Sequence, residues 1–277
     1  MIARLRGWLG VELDPSWYDA IPARVSRRRY DGRPVAAAEW AELTAFAERL
    51  SASGVRITLV CRDAEELFYG IIGGYGKIVG SPCAAIFSAP EGCDLELGYV
   101  GEAFVLAATG LGLDTCWVAG NFHRKKAAGH VPLAAGEHVR AVTPVGYGLA
   151  RPDTEERVIT TYVRARTRLD AEKIAAGVAG WPEWAQSAVE AARLAPSGGN
   201  KQPWRFSLEN DGEAGVLVLT DHPARFYWTH RMDCGIAMLH AELGALHAGV
   251  PGIWRAEGDH VVARFAPLEP AHRATGL

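Results

Sequence analysis

The chain has 277 residues, 49% of them hydrophobic and 22% charged, with 29 Lys and Arg set against 32 Asp and Glu for a formal net charge of −3. That length and apolar fraction supply one large core or two intimate halves and exclude a compositionally disordered chain. The slightly acidic balance argues against a nucleic-acid partner, no run of about 18 apolar residues reads as a membrane span, and the start MIARLRGWLGVELDP lacks a signal-like apolar stretch, so a cytoplasmic protein is expected.

The first chemically loaded segment is SRRRYDGRPV, Ser26 to Val35. Read alone, the consecutive Arg27, Arg28 and Arg29 fit a solvated face, a nucleic-acid patch or a phosphate grip; the charge balance disfavours nucleic acid, and the guanidinium fork suits phosphate oxygens. A helix follows over Ala36–Leu50, then a strand, VRITLV. GGYGKIVG, from Gly73, matches neither a GxxxxGK[ST] loop nor a GxGxxG turn and reads as a flexible segment able to form a lid. The strand CAAIF leads to a helix over Asp94–Thr109, which ends at Gly110 and Gly112 before the short extended piece of GLGLDTCWVAGNF. After the strand HVRAVTPVG, the polar stretch Arg151–Arg157 is a linker candidate. In RARTRLDAEKI, Arg166 and Arg168 stand at alternate positions, which places both on one side of an extended chain.

A second linker candidate, Ala175–Gly180, precedes WPEWAQSAVEAARL. Pro182 near its start and apolar Trp184, Ala188, Ala191, Ala192 and Ala195 at helical spacing predict a helix over Pro182–Leu194. It stops at APSGGNKQPWRF. Pro196 disfavours further helix, and Gly198 and Gly199 supply positive φ or close backbone approach, so Asn200 and Gln202 are expected to present hydrogen-bonding groups to a flat polar ligand. The strand VLVLT, a helix over Asp233–Ala248 and the strand HVVARF complete an α+β pattern of helices around a mixed or antiparallel sheet. The loops Arg62–Ser81 and Asp221–Arg231 carry Tyr69, Tyr75, Phe226, Tyr227 and Trp228, which suit ligand stacking or core filling. Cys61, Cys83, Cys93, Cys116 and Cys234 are odd in number and widely separated, and read as reduced core residues. The nine histidines form no HExxH or Cys/His cluster, so no metal site is expected. Ser197 lacks a GxSxG setting, which disfavours a hydrolase nucleophile.

The chain also repeats itself. A shift of 144 lays EWAELTAFAERLSASG, from Glu39, on EWAQSAVEAARLAPSG, from Glu183; a shift of 137 lays Gly98, Leu106, Ala108, Gly112 and Trp117 on Gly235, Leu243, Ala245, Gly249 and Trp254. The copies have diverged reciprocally. Ala52 and Arg56 stand where Pro196 and Asn200 stand in the second copy, while Arg27, Arg28 and Arg29 fall on Ala171, Glu172 and Lys173.

APSGGNKQPWRF resembles the flavin-clasping segment of the nitroreductase family, and SRRRYDGRPV resembles its amino-terminal arginine signature. The likeness runs from about Tyr18 to about Arg264 and is to the internally duplicated branch, a usual homodimer fused into one chain. It implies a nitroreductase-like fold of two pseudo-symmetric halves, residues 1–170 carrying the phosphate grip and 171–277 the flavin clasp. It also implies one FMN per chain, held by Arg27, Arg28 and Arg29, by Pro196, Ser197, Gly198, Asn200 and Gln202, and by Arg166 and Arg168, with N–H groups around Ala119 and Gly120 facing the ring. Two departures alter that last wall: Asp114 stands where glycine is expected, and Ala119 replaces a common acidic residue. The activity implied is hydride transfer from NADH or NADPH through FMN to a small electron-poor acceptor such as a nitroaromatic or quinone, with no protein nucleophile, in a chain able to act as a monomeric pseudo-dimer. The alternatives are a specialised flavin-dependent biosynthetic dehydrogenase or oxidase, or a non-catalytic FMN-sequestering protein.

Overall fold

The computed structural model describes residues 8–50, 54–68, 77–162, 164, 166–209, 215–222, 228–258 and 261–268. Tyr69, Tyr75, Phe226, Tyr227, Ala52 and residues 73–76 of the Gly73–Gly80 lid segment lie outside them. The chain runs α1 (Trp17–Ala23), α2 (Ala37–Leu50), β1 (Arg56–Val60), β2 (Cys83–Pro90), α3 (Asp94–Gly110), β3 (Asp114–Thr115), α4 (Arg124–Gly129), β4 (Glu137–Gly146) and α5 (Thr154–Tyr162). It continues through α6 (Ala171–Ile174), α7 (Glu183–Arg193), β5 (Trp204–Glu209), β6 (Val216–Asp221), α8 (His230–His247), β7 (Gly252–Ala256) and β8 (Val261–Pro267). This is an α+β nitroreductase-like fold.

Two four-stranded antiparallel sheets flank the helices, in the orders β1-β2-β4-β3 and β5-β6-β8-β7. The two orders are the same permutation, and each sheet is entered from a long helix, α2 or α7, and interrupted by another, α3 or α8. Helices α3 and α8 are apolar nearly all round, as helices buried in a core must be, and they pack against each other at the centre. Glycines allow the close approach. A Cβ on Gly98 would stand 1.9 Å from the Met232 carbonyl oxygen, and one on Gly235 would stand 2.0 Å from that of Leu95. The contact is reciprocal, because Met232 lies as far along the chain from Leu95 as Gly235 does from Gly98.

Several elements differ from the sequence expectation. Arg151–Arg157 is partly helical: α5 starts at Thr154, with the Asp153 carboxylate accepting from the Glu156 N–H at 2.8 Å. Helix α8 begins at His230, three residues early, and β5 and β7 are additional strands. The cysteines are not all reduced. Val60 pairs with Ala84 across β1 and β2, so the next residue, Cys61, faces Cys83, and the two form a disulfide. An odd count and wide spacing concealed a pairing that strand register creates. Cys93, Cys116 and Cys234 are free thiols. No helix among the described residues is long and apolar enough to cross a membrane.

Candidate functional site

The arginine segment is extended chain. Arg27 N–H donates to the Thr115 carbonyl and Tyr30 N–H to that of Val79, while Arg29 and Asp31 exchange bonds with Leu149 and Tyr147. Alternation then sorts the side chains. Arg24 and Arg28 are each 7% exposed and flank Ser26, whereas Arg29 turns away to pair with Asp153 and Glu155. Arg27 is intermediate, donating to the Leu149 carbonyl and lying 3.4 Å from a Glu156 oxygen.

The clasp is built by backbone strain and side-chain bonds. Helix α7 ends at Arg193; Ser197 is extended, and Gly199, Asn200 and Gln202 then adopt positive φ values of 56°, 56° and 49°. Glycine accepts that conformation readily and asparagine tolerates it, but for glutamine it is strained. Ser197 Oγ accepts from the Gln202 N–H at 2.9 Å, and the Gly198 N–H donates to the Asp233 carboxylate at 3.1 Å. The two amides do not stand open to a ligand as the sequence suggested. Asn200 Nδ2 donates to the Arg164 and Thr167 carbonyls at 2.7 and 2.8 Å, and its Oδ1 accepts from Arg168 at 3.1 Å. Gln202, 4% exposed, accepts from the Leu169 N–H at 2.9 Å. Both amides therefore lock the chain at Arg164, Thr167, Arg168 and Leu169 onto the turn that follows α7.

Between these pieces lies a cavity of about 610 Å³. It gathers Arg24, Ser26, Arg27 and Arg28 from the arginine strand, Arg166 and Arg168 from the connector, Pro196, Ser197, Gly199 and Asn200 from the clasp, and Glu156, Arg157, Thr160 and Thr161 from α5. Arg29, Gly198, Gln202, Ala119 and Gly120 are not in its lining. Arg29 is spent on its acids, while Gly198 and Gln202 brace the turn from behind. Ala119 and Gly120 follow Trp117 on a separate turn, where the Ala119 carbonyl accepts from Arg124.

The cavity concentrates positive charge in a poorly solvated place. Burial pulls the Arg168 pKa down, helped by the charges of Arg24 and Arg193, to about 10. Burial also lowers Arg24, against the opposing pull of Glu102 and Cys116. Anions relieve such crowding, since an opposite charge nearby favours the protonated form.

Sequence reasoning missed Arg24 and Ser26; the signal was period-two alternation, Arg24, Ser26, Arg28, rather than the consecutive run. It also missed a buried network behind Arg24. Glu102, on α3, lies 3.8 Å from Arg24 Nε, accepts from Trp117 Nε1 at 2.7 Å and meets His240 Nε2 at 2.9 Å. His240 Nδ1 meets the Ala191 carbonyl at 3.1 Å. Both ring nitrogens face protein oxygens. The network joins the arginine strand, the turn before Ala119 and the helix that leads into the clasp.

The family model described as "Putative TM nitroreductase" matches residues 16–245. Among solved structures, the chain is similar to a "putative nitroreductase" from Thermotoga maritima MSB8, with 20% identity and a TM-score of 0.57 over 90% of this chain and 92% of that one. A nitroreductase family protein from Clostridium novyi NT has 19% identity and a TM-score of 0.41 over 50% of this chain and 89% of its own. A nitroreductase with bound FMN from Bacteroides fragilis NCTC 9343 has 19% identity and a TM-score of 0.37 over 50% of this chain and 93% of its own. No curated protein matches the chain.

Proposed function

The chain belongs to the nitroreductase family, and on that footing we propose that its arginine-lined cavity holds FMN and that the protein is an FMN-dependent oxidoreductase. The observation that carries this reading is the meeting of arginines from the first half with the Pro196–Asn200 turn of the second in one cavity. The residues fit a phosphate. Arg24, Arg28 and Arg168 supply converging charge-assisted donors, Ser26 a hydroxyl, and Arg27 and Arg166 further positive charge. The buried Arg24 and half-buried Arg168, both pulled below the ordinary arginine range, favour an anion as partner.

Pro196, Ser197 and Asn200 are assigned to the flat ring, with Gly198 and Gln202 holding the turn. Arg29 serves the site by anchoring α5 rather than by touching the ligand. Ala119 and Gly120 are the residues left to meet the ring's reactive edge. When bound, FMN supplies the redox chemistry, with hydride entering from NADH or NADPH and electrons leaving to a small electron-poor acceptor such as a nitroaromatic or quinone. The protein's part is to bind, orient and exclude water, so no side-chain nucleophile is assigned. In this reading the halves are residues 1–170 and 171–277, fused so that a single chain completes the site, and the protein works in the cytoplasm, where reduced nicotinamide is supplied.

The test is spectroscopic. FMN added to the purified protein should bind, and NADH or NADPH should bleach the bound flavin anaerobically, with colour restored by a quinone or nitroaromatic. Reduction by dithionite but by neither nicotinamide would remove the nicotinamide-dependent activity and leave flavin binding alone.

A further inference from the structure

We propose that Glu156 selects ligands by charge in this cavity, admitting a single phosphate and rejecting a second. The inference rests on the anion-binding reading of the cavity and adds to it a residue with no counterpart in the arginine and clasp segments. Glu156 is the one acidic side chain among the described residues of the lining. It is 2% exposed, on the first turn of α5. Its Oε1 accepts from the Arg28 N–H at 2.7 Å and lies 3.4 Å from Arg27 Nε. Its Oε2 is buried and has no hydrogen-bond partner among the described residues.

That carboxylate does not sit there by chance of rotamer. The Asp153 carboxylate accepts from the Glu156 N–H, and Arg29 holds Asp153 at 3.0 Å and also pairs with Glu155, so the first turn of α5 is pinned against the arginine strand. The other polar side chains around the cavity are mainly donors: arginines, serines and threonines. A phosphate therefore finds partners away from Glu156. A second phosphate, or any diphosphate linkage, meets a fixed negative charge in a place shielded from water, where like charges repel strongly. The matching chemical class is a monophosphate ester.

Calorimetric titrations with inorganic phosphate and with pyrophosphate test this on the whole chain, beside parallel titrations with FMN and FAD. The wild-type protein should prefer phosphate to pyrophosphate and FMN to FAD, each by at least tenfold. Glu156→Gln, nearly isosteric, should tighten pyrophosphate and FAD by at least tenfold and erase the preference. Glu156→Ala should shift pyrophosphate the same way if the glutamine variant is poorly folded. Glu257→Gln, exposed, paired with Arg264 and outside the cavity lining, should change neither ratio. Unchanged ratios in both Glu156 variants, or equal weakening of both anions, would overturn the proposal and leave Glu156 a brace for the arginine strand. Absence of any anion binding to wild-type protein would overturn it as well. Phosphate selectivity that depends on Glu156 in a protein that binds no flavin would sustain it while removing the FMN reading.

Discussion

Arg24, Arg28 and Arg29 carry the same charge within six residues of chain, yet the fold gives them different work. The first two are buried against the cavity, and the third is held by Asp153 and Glu155. Arg24→Ala and Arg28→Ala should each weaken FMN binding roughly 10- to 100-fold, the loss of one charge-assisted contact of about 1.5–3 kcal/mol. Arg29→Ala should cost less than about threefold, since its partners are surface-facing acids. Flavin fluorescence titration distinguishes them, and an Arg29 variant as weak as the Arg24 variant would place the grip on the wrong face of the strand. The arginine run stood out in the sequence; which of its arginines line the cavity did not, because consecutive positions in extended chain point to opposite sides. Asn200 and Gln202 were legible as polar residues of a turn, but not their positive φ, nor the partners of their amides, which come from residues more than 30 positions earlier that local pattern does not reveal.

At the scale of elements, the α3–α8 contact is the most exacting. Gly98→Ala and Gly235→Ala each drive a methyl into a backbone carbonyl of the facing helix, and each should cost more than about 3 kcal/mol. Gly110→Ala, with nothing within 4 Å, should stay within about 1 kcal/mol. Urea unfolding reads both. The helices themselves were legible from apolar spacing; their crossing point was not, although the repeat had already aligned its two glycines. Acid stability turns on β4. Burial pushes the Glu137 carboxyl up, but hydrogen bonds from Arg56, the Ala134 N–H and Ser88, with the Arg56 charge, outweigh it and hold the pKa at about 2. A carboxyl lowered by folding stabilises the fold above its unfolded value of about 4.3 and loses that contribution as pH falls toward 2, up to about 3 kcal/mol in all. Glu137→Gln should therefore be less stable than wild type at pH 7, with the difference shrinking as pH drops from about 4.5 to 2. A difference constant across that range would assign the loss to packing alone.

Across the whole molecule, two sheets of identical strand order stand on either side of two reciprocal helices, yet the site is lopsided. Arginines from before α2 and residues after α5 meet the turn after α7, where Asn200 accepts from Arg168. The second copy offers Ala171, Glu172 and Lys173 in place of the arginines, and the first copy lacks the Pro196 and Asn200 positions. The reciprocal losses are visible in the sequence repeat itself, since an alignment needs no knowledge of packing. The α5 wall of the cavity was not readable: its polar sequence looks like a connector until its acids are seen against Arg27, Arg28 and Arg29. The decisive measurement is the molar ratio of FMN to polypeptide at saturation, taken by quantifying flavin released from protein of known concentration. A ratio of one is expected from a single composite site; a ratio of two, or no retained flavin at concentrations that saturate other flavoproteins, would contradict it.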